Sequence, residues 1–477
     1  MPKGLLHKTK KPAGVTPSQP TAARVDPVKQ REQELDNIRQ LFLTGEYART
    51  LTRALSPGGD TKELEQLLTN DQRFSRFASY HNPQKAHEYA DELAGLGVVD
   101  KLLDQSTKAG SDERITDLGF NSNGFLTVET NTRKFTYGNK PGQPKITRTY
   151  MEGLIRRMAQ QDGYDGTSFD KNAPLLNAAN REKYLRISAN HEVTAPYGLT
   201  VSIRVASPYL ALTKKNFNNF APMTKQLNTY RLFEILIKAH CNIMLSAETG
   251  AGKTEFQKML VNFIPFQDRI VMIEDTPETH LPELYPDKDI YSWTTIEGKI
   301  SISDLVKQAL RNNPKWLIVA ETRGAEAYEM FQGVKSDHSI ITTLHAISND
   351  AVPSRFIGMA KMGFEVNEEN EERDFLRYMH IGVHLTKKVI DGHVYRYADE
   401  IAEFVPRSKE HPLGVNVLLH QHLRQDGIRE IWTGRPTKDL QRRIYNETDH
   451  TLTEDVWPQL GDEDHPLQEQ LYQMPKH

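Results

Sequence analysis

At 477 residues the chain is too long for one ordinary core, and its length alone predicts two or three domains. Lys and Arg number 60 against 63 Asp and Glu, a formal net charge of -3, which excludes a global basic field for nucleic acid or anionic lipid and confines any such contact to a local patch. A single cysteine, Cys241, excludes an internal disulfide framework; the absence of apolar runs near the roughly 18–20 residues that span a bilayer, and of a secretory apolar core in the basic start MPKGLLHKTKKPAG, predicts a soluble, cytoplasmic protein.

Residues 1–34 carry seven Lys or Arg against three Asp or Glu, with five prolines and few large apolar groups. Such a composition cannot offset its ordering entropy and predicts a disordered basic arm. Over residues 35–110, LDNIRQLFL, TKELEQLL and ADELAGLGVVDKLL space apolar residues three and four apart between the breakers SPGGD and HNPQ, which predicts a helical extension. Near residue 115 the period changes to two. ITDLGF, GFLTVET and KFTYG alternate between Asn- and Gly-rich turns, YMEGLIRRMAQQ is helical, and YLRISANHE and LTVSIRVA alternate again, so residues 111–215 read as an N-terminal α/β domain. The polar stretch KKNFNNFAPMT marks a linker over residues 216–228.

Over residues 229–405, CNIMLSA, RIVMIED, KWLIVAE and SIITTLH are continuous apolar runs of buried-strand length separated by helices. That is the pattern of a parallel sheet covered on both faces. VHLTKKVIDGHVYRYADEI sets Asp391-Gly392 between two β-rich runs, a type I′ hairpin signal. Residues 406–477 read as a C-terminal extension with a mobile acidic tail, carrying eight Asp or Glu and one Lys after residue 444.

The stretch AETGAGKTE, residues 247–255, follows the apolar NIML and precedes TEFQKMLVNFIP, which puts Phe256, Met259, Leu260 and Phe263 on one helical face before Pro265 stops it. Gly250 and Gly252 allow backbone N–H groups to turn toward phosphates, and the helix start adds partial positive charge. On this reading Glu248, Thr249, Gly250, Ala251, Gly252, Lys253, Thr254 and Glu255 form the nucleotide loop, Lys253 neutralises the β- and γ-phosphates of ATP, and the Thr254 hydroxyl ligates Mg²⁺. The alternative is an ordinary glycine-rich turn, against which the flanking strand and helix argue. Ala247 stands where glycine is usual and matters only if it needs positive φ, at a cost of roughly 1 kcal/mol. RIVMI runs into Glu274 and Asp275, and KWLIVA into Glu321. Carboxylates at parallel strand ends lie beside the crevice where open α/β sheets bind ligands, and two tasks there need them: supporting Mg²⁺ and orienting the attacking water. A solvated strand end is the alternative for each carboxylate, and a structural histidine for His345 at the end of SIITTL.

With these four features in order, the sequence resembles the traffic-ATPase superfamily of type II and type IV secretion, conjugative DNA transfer and pilus assembly. TGAGKT is similar to its P-loop, IVMIEDTPETHL to its acidic box, LIVAETRGAEA to its Walker B segment and TTLHA to its histidine box, and QALRNNP also matches. ITDLGFNSNGFLTVE, SFDKNAPLLNA, YLRIS and LTVSIRVA resemble the N-terminal domain of the secretion and conjugation branch, so the similarity covers residues 112–405. The resemblance implies a RecA-like P-loop NTPase domain with a smaller N-terminal α/β domain, the helical extension lying outside the match. It further implies that Glu274 polarises the attacking water, Glu321 supports Mg²⁺ and that water, and Asp275 orders the site. His345 would sense the γ-phosphate, Arg204 and secondarily Arg186 would reach the nucleotide, and Arg323 would tie the Walker B strand to the neighbouring loop. Arginine suits such work because a guanidinium follows phosphate charge as it redistributes.

The departures are Ala247 and Ala320 for glycine, SDH over 336–338 for TGH, Asn313 for a second arginine, and Glu255 where threonine is frequent. Glu255 is expected to point away from the nucleotide. No four-cysteine metal module is present, which favours the type IV and conjugation side. The resemblance implies an ATP-hydrolysing hexamer at the inner face of the cell membrane, working with proteins of a membrane-embedded secretion or conjugation machine and a coupling protein. Direct nucleic-acid binding stays open. A DNA-stimulated RecA-like motor and a nucleotide-gated scaffold with little hydrolysis are the alternatives.

Overall fold

The computed structural model describes residues 27–43, 47–55, 61–94, 97–107, 113–140, 143, 145–161, 169–180, 183–206, 208–224, 227–296, 298–452, 456–457 and 468–473. Contacts divide the chain into two units, residues 1–97 and 98–477.

The first unit is helical: α1 (Pro27–Leu43), α2 (Ala48–Leu55), α3 (Lys62–Asn70) and α4 (Pro83–Leu93). Its core gathers Leu35, Ile38, Phe42, Leu64, Leu68, Phe74, Tyr89 and Leu93, with the Phe42 and Phe74 rings stacked at 5.4 Å. The chain is helical from Pro27, inside the span expected to be a disordered arm, and residues 1–26 lie outside the described residues. Long-range polar contacts account for the difference: Arg31 pairs with Glu92 at 2.6 Å and the Tyr89 hydroxyl donates to Glu34 at 2.6 Å. Local composition cannot reveal either. α4 has a legible start, since the Asn82 side chain accepts from the Lys85 amide and Pro83 opens the first turn.

The second unit begins with α5 (Val98–Thr107), which the sequence grouped with the helical extension. Val99 and Leu102 are buried and Asp100 pairs with Lys183 at 3.1 Å, so this helix packs with the strands of the second unit. An antiparallel six-stranded sheet comes next, in the order β3-β2-β1-β6-β5-β4, from β1 (Ile115–Phe120), β2 (Leu126–Thr130), β3 (Lys134–Tyr137), β4 (Leu175–Asn180), β5 (Leu185–Asn190) and β6 (Thr200–Val205). Leu118, Phe120, Val128, Ile187, Val201 and Ile203 bury one face, as the period of two predicts, and α6 (Arg148–Gln161) contributes the buried Met151, Leu154 and Ile155.

Residues 216–228, expected to form a linker, contribute side chains to a core. Phe217, Phe220, Ala221 and Leu227 are buried, and the Phe220 carbonyl accepts from the Ala398 amide at 3.1 Å and the Gln421 side chain at 3.0 Å. The buried Arg429 donates to the Asn218 carbonyl at 2.8 Å. The polar letters around these two phenylalanines conceal an apolar anchor.

The larger sheet has ten strands in the order β16-β15-β14-β13-β12-β7-β11-β10-β8-β9. Its parallel part comprises β7 (Ile243–Ala247), β8 (Ile270–Glu274), β9 (Ile290–Thr294), β10 (Trp316–Val319), β11 (Ser339–Leu344) and β12 (Ile381–Ile390). β13 (His393–Phe404), β14 (Val415–Leu423), β15 (Ile428–Thr433) and β16 (Gln468–Gln473) extend it antiparallel. Both faces of the parallel part are covered. Ile243, Leu245, Ile270, Met272, Trp316 and Ile318 share one core with α7 (Thr229–Lys238), α8 (Lys253–Val261) and α14 (Lys438–Thr448). Met244, Val271, Ile273, Leu317 and Val319 share the other with α10 (Ile302–Leu310), α11 (Glu326–Lys335), α12 (Val352–Ala360) and α13 (Glu368–Tyr378), while the one-turn α9 (Leu281–Leu284) follows β8. The four apolar runs are thus neighbouring parallel strands of an α/β fold.

Asp391 and Gly392 have φ of 50° and 81°, the two positive values a type I′ turn needs. Residues past 405 do not form an appendage: β14 and β15 continue the sheet, and Val456 and Trp457 are buried in its core. Of the expected acidic tail, residues 453–455, 458–467 and 474–477 lie outside the described residues.

Candidate functional site

A loop leaves the carboxyl end of β7 and enters α8. Gly250 and Gly252 have φ of 79° and 99°, where a Cβ would be strained, and Gly252 caps the helix. Ala247 closes β7 at 1% exposure and is not among the positive-φ residues, so its Cβ imposes no backbone strain. Asn313 has φ 50° and Asp337 φ 70°. Both belong to the short polar types that tolerate this region best.

Five of the side chains named in the sequence, Lys253, His345, Glu321, Arg323 and Asp275, gather near the ends of four adjacent strands. The Lys253 ammonium, in the first turn of α8, donates to the Ala247 carbonyl at 3.1 Å and lies 3.3 Å from Nδ1 of His345, which follows β11. His345 Nδ1 is also 2.8 Å from the Ala247 carbonyl, and its Nε2 is 3.2 Å from Glu321, which follows β10. Arg323 completes the chain, bonding Glu321 at 2.7 Å and Asp275, past the end of β8, at 3.0 Å. Its two ion pairs join the ends of β10 and β8.

The walls of the site are pinned from behind. The Thr322 and Thr342 hydroxyls meet at 2.8 Å, the Thr343 hydroxyl donates to the Ala320 carbonyl at 2.7 Å, and the Glu326 carboxylate accepts from the Arg323 and Gly324 amides at 2.6 and 2.8 Å. Burial opposes charge on Glu321, but the Arg323 bond and the nearby Arg323, His345 and Lys253 charges hold its carboxyl below the usual range. Burial pulls Lys253 the other way, below the ordinary lysine value, against the opposing pull of Glu321.

Glu274 departs from its expected place. It is 2% exposed, and its carboxylate accepts from the Glu278 amide at 3.1 Å, the Thr279 amide at 3.0 Å and the Thr279 hydroxyl at 2.8 Å. It therefore braces the 276–279 turn and does not join the cluster around Lys253. Burial raises its pKa in spite of these bonds. Glu255 also turns aside, accepting from the Ala211 amide at 3.1 Å and pairing with Lys258 at 2.8 Å, so its side chain is not part of the loop's cradle. Thr254 sits in the first turn of α8 and Glu248, Thr249 and Ala251 in the loop before it.

The two arginines of the smaller sheet separate. Arg186 reaches Glu278 in the acidic box at 2.7 Å, while Arg204 pairs with Asp117 at 3.3 Å. They nonetheless belong to one row. Arg186, Arg204, Asp117, Glu129 and Lys134 are successive register partners across β5, β6, β1, β2 and β3, which puts all five on the sheet's polar face. Glu129 in turn binds Lys387 of β12 and, at 3.2 Å, Arg396 of β13. The sequence had pointed to neither of these cations; their only local signal is a pair of basic residues flanking the Asp391-Gly392 turn.

The profile of the type II/IV secretion system protein family matches residues 176–371. An uncharacterized Bacillus anthracis protein is 36% identical over 322 residues, 66% of this chain and 69% of that protein. The chain belongs to the type II/IV secretion system protein family. Within this secretion family, the type IV secretion system protein VirB11 of Brucella suis is 27% identical over 226 residues, covering 40% of this chain and 62% of VirB11, so the chain spans less than two thirds of that relative. Among solved structures, Brucella suis VirB11 in complex with sulphate aligns over 64% of this chain and 94% of its own at 23% identity with a TM-score of 0.32. The pilus retraction motor PilT with bound ADP aligns over 67% and 84% at 15% identity with a TM-score of 0.41.

Proposed function

We propose that this secretion-family protein is a Mg²⁺-dependent ATP hydrolase that forms a ring, a hexamer, and powers a secretion, conjugation or pilus-assembly machine from the cytoplasmic side of a membrane. The observation that carries the reading is the convergence of Lys253, His345, Glu321, Arg323 and Asp275 on a loop with two positive-φ glycines. A phosphate chain on the loop amides would draw the Lys253 ammonium from the Ala247 carbonyl, and His345, sharing that carbonyl, would register the change. Glu321, kept ionised by Arg323, orients the water that attacks the γ-phosphate. Arg186, and Arg204 on the same row, carry the nucleotide's charge state to the smaller sheet.

Thr254 and Glu321 are the hard oxygen donors that Mg²⁺ prefers, and among the described residues no three His, Cys, Asp or Glu side chains form a separate metal cluster. When bound with the nucleotide, Mg²⁺ supplies charge neutralisation at the phosphates. Among the described residues no helix is long and apolar enough to cross a membrane, so partner proteins are the proposed route to the membrane.

Lys253→Ala and Glu321→Gln should each lower turnover by at least about 100-fold, measured as magnesium-dependent phosphate release. Wild-type protein with no such release, alone or with membranes, would remove the motor reading in favour of a nucleotide-gated scaffold. The particle mass with Mg·ATP tests the hexamer. Glu274 ends β8 beside Asp275, and the family resemblance assigns it a further role, polarising the attacking water. Glu274→Gln lowering turnover with an unchanged melting temperature would support it, whereas lost stability would mark Glu274 as a brace of the acidic-box turn.

A further inference from the structure

The hairpin of β12 and β13 touches the glycine-rich loop at the Gly250 carbonyl. Arg396 Nε donates to the Gly250 carbonyl at 2.8 Å. The same guanidinium donates through Nη1 to the Asn131 carbonyl at 2.8 Å and through Nη2 to Glu129 at 3.2 Å, both in the smaller sheet and the turn that follows β2. Lys387 is the direct cross-strand partner of Arg396, binds Glu129 as well, and lies 3.7 Å from where a Cβ on Gly250 would be. The backbone joins in, since the Val394 amide donates to the Thr132 carbonyl at 2.8 Å.

We propose that Arg396 is a positioning residue that couples the docking of the smaller sheet to the shape of the phosphate-binding loop. In a trans peptide the carbonyl and the next amide point in opposite directions. Holding the Gly250 carbonyl therefore aims the Ala251 N–H away from Arg396, toward the concave side of the loop where phosphate oxygens would accept it. Because the guanidinium has a fixed fork, its grip on Asn131 and Glu129 sets the angle of its grip on Gly250. Glu129 acts on the loop through Arg396 and Lys387. Coupling is reciprocal: docking of the β2–β3 turn strengthens nucleotide binding, and a bound nucleotide tightens the docking. The inference rests on the loop being a nucleotide site, as proposed above.

The test is hydrogen exchange of the full chain, with and without Mg·ADP, for wild type, Arg396→Gln, Arg396→Lys and Glu129→Gln, together with ADP affinity. In the wild type Mg·ADP should slow exchange over residues 126–137 as well as in the loop. Arg396→Gln should weaken ADP binding about tenfold and abolish the ADP-dependent protection of 126–137. Arg396→Lys, which keeps the charge but cannot span three acceptors, should do the same. Glu129→Gln should quicken exchange at residues 248–253 even without nucleotide, a change that a merely local role of Glu129 would not produce. If Arg396→Gln fails to fold, Glu129→Gln decides. Unchanged loop exchange and unchanged ADP affinity in Glu129→Gln overturn the coupling. Failure of the nucleotide-site reading looks different: wild type and Lys253→Ala would then be equally blind to ADP, while the nucleotide-free exchange comparison would still report on the clasp.

Discussion

His380 fixes the start of the strand that leads into the glycine-rich loop. Its Nδ1 accepts from the Asn242 amide at 2.8 Å, and Asn242 itself bonds the Tyr378 carbonyl and the Ile340 amide, each at 2.8 Å. Accepting at Nδ1 requires the unprotonated ring, and burial, helped by the Arg443 charge, pushes the pKa from 6.5 down to about 3. The folded value lies below the unfolded one, so the unfolded chain binds the extra proton between them. The stabilisation is fully present above pH 6.5 and is lost as the pH falls from there toward 3. Its slope is up to about 1.4 kcal/mol per pH unit. Melting temperatures at pH 7.5 and 5 should therefore differ more for wild type than for His380→Gln. Legibility at this scale depended on whether chemistry followed chain order. Glu321 and His345 follow apolar runs that the pattern of a buried strand places, and Lys253 follows the glycines of the loop after β7. Arg396 acts 146 residues from Gly250, and no local spacing encodes that contact.

At the scale of elements, the strands were readable because burial on both faces demands uninterrupted apolar letters, and the β12–β13 turn because Asp391-Gly392 accepts two positive φ values. α10 carries an equally local signal. Ser301 Oγ accepts from the Asp304 amide at 3.2 Å and the Asp304 carboxylate accepts from the Ser301 amide at 3.0 Å, a reciprocal capping box. Ser301→Ala should cost about 1 kcal/mol, read as a lower urea midpoint with unchanged slope. The segment around Phe217 misled in the opposite sense. Two aromatic anchors outweigh their polar neighbours once a core is there to receive them, and composition averages them away.

For the whole molecule, the division at residue 97 puts α5 with the sheets, whereas its apolar period merged it with the preceding helices. Each unit holds its own buried core. Residues 98–477 alone should therefore fold and bind Mg·ADP with an affinity within a few-fold of the full chain; a collapsed melt or lost binding would show that the helical unit supports the sheets.

By itself the sequence determined the parallel α/β class, the loop and the residues at the strand ends, because those features are local: a period, a turn residue, a charge after an apolar run. Tertiary structure alone decided that Glu274 braces a turn, that Arg186 rather than Arg204 bonds the acidic box, and that the strands past residue 405 continue the main sheet. Each of these depends on which distant backbone groups come within hydrogen-bonding reach. That is settled only when the sheets close and every buried donor must find a partner.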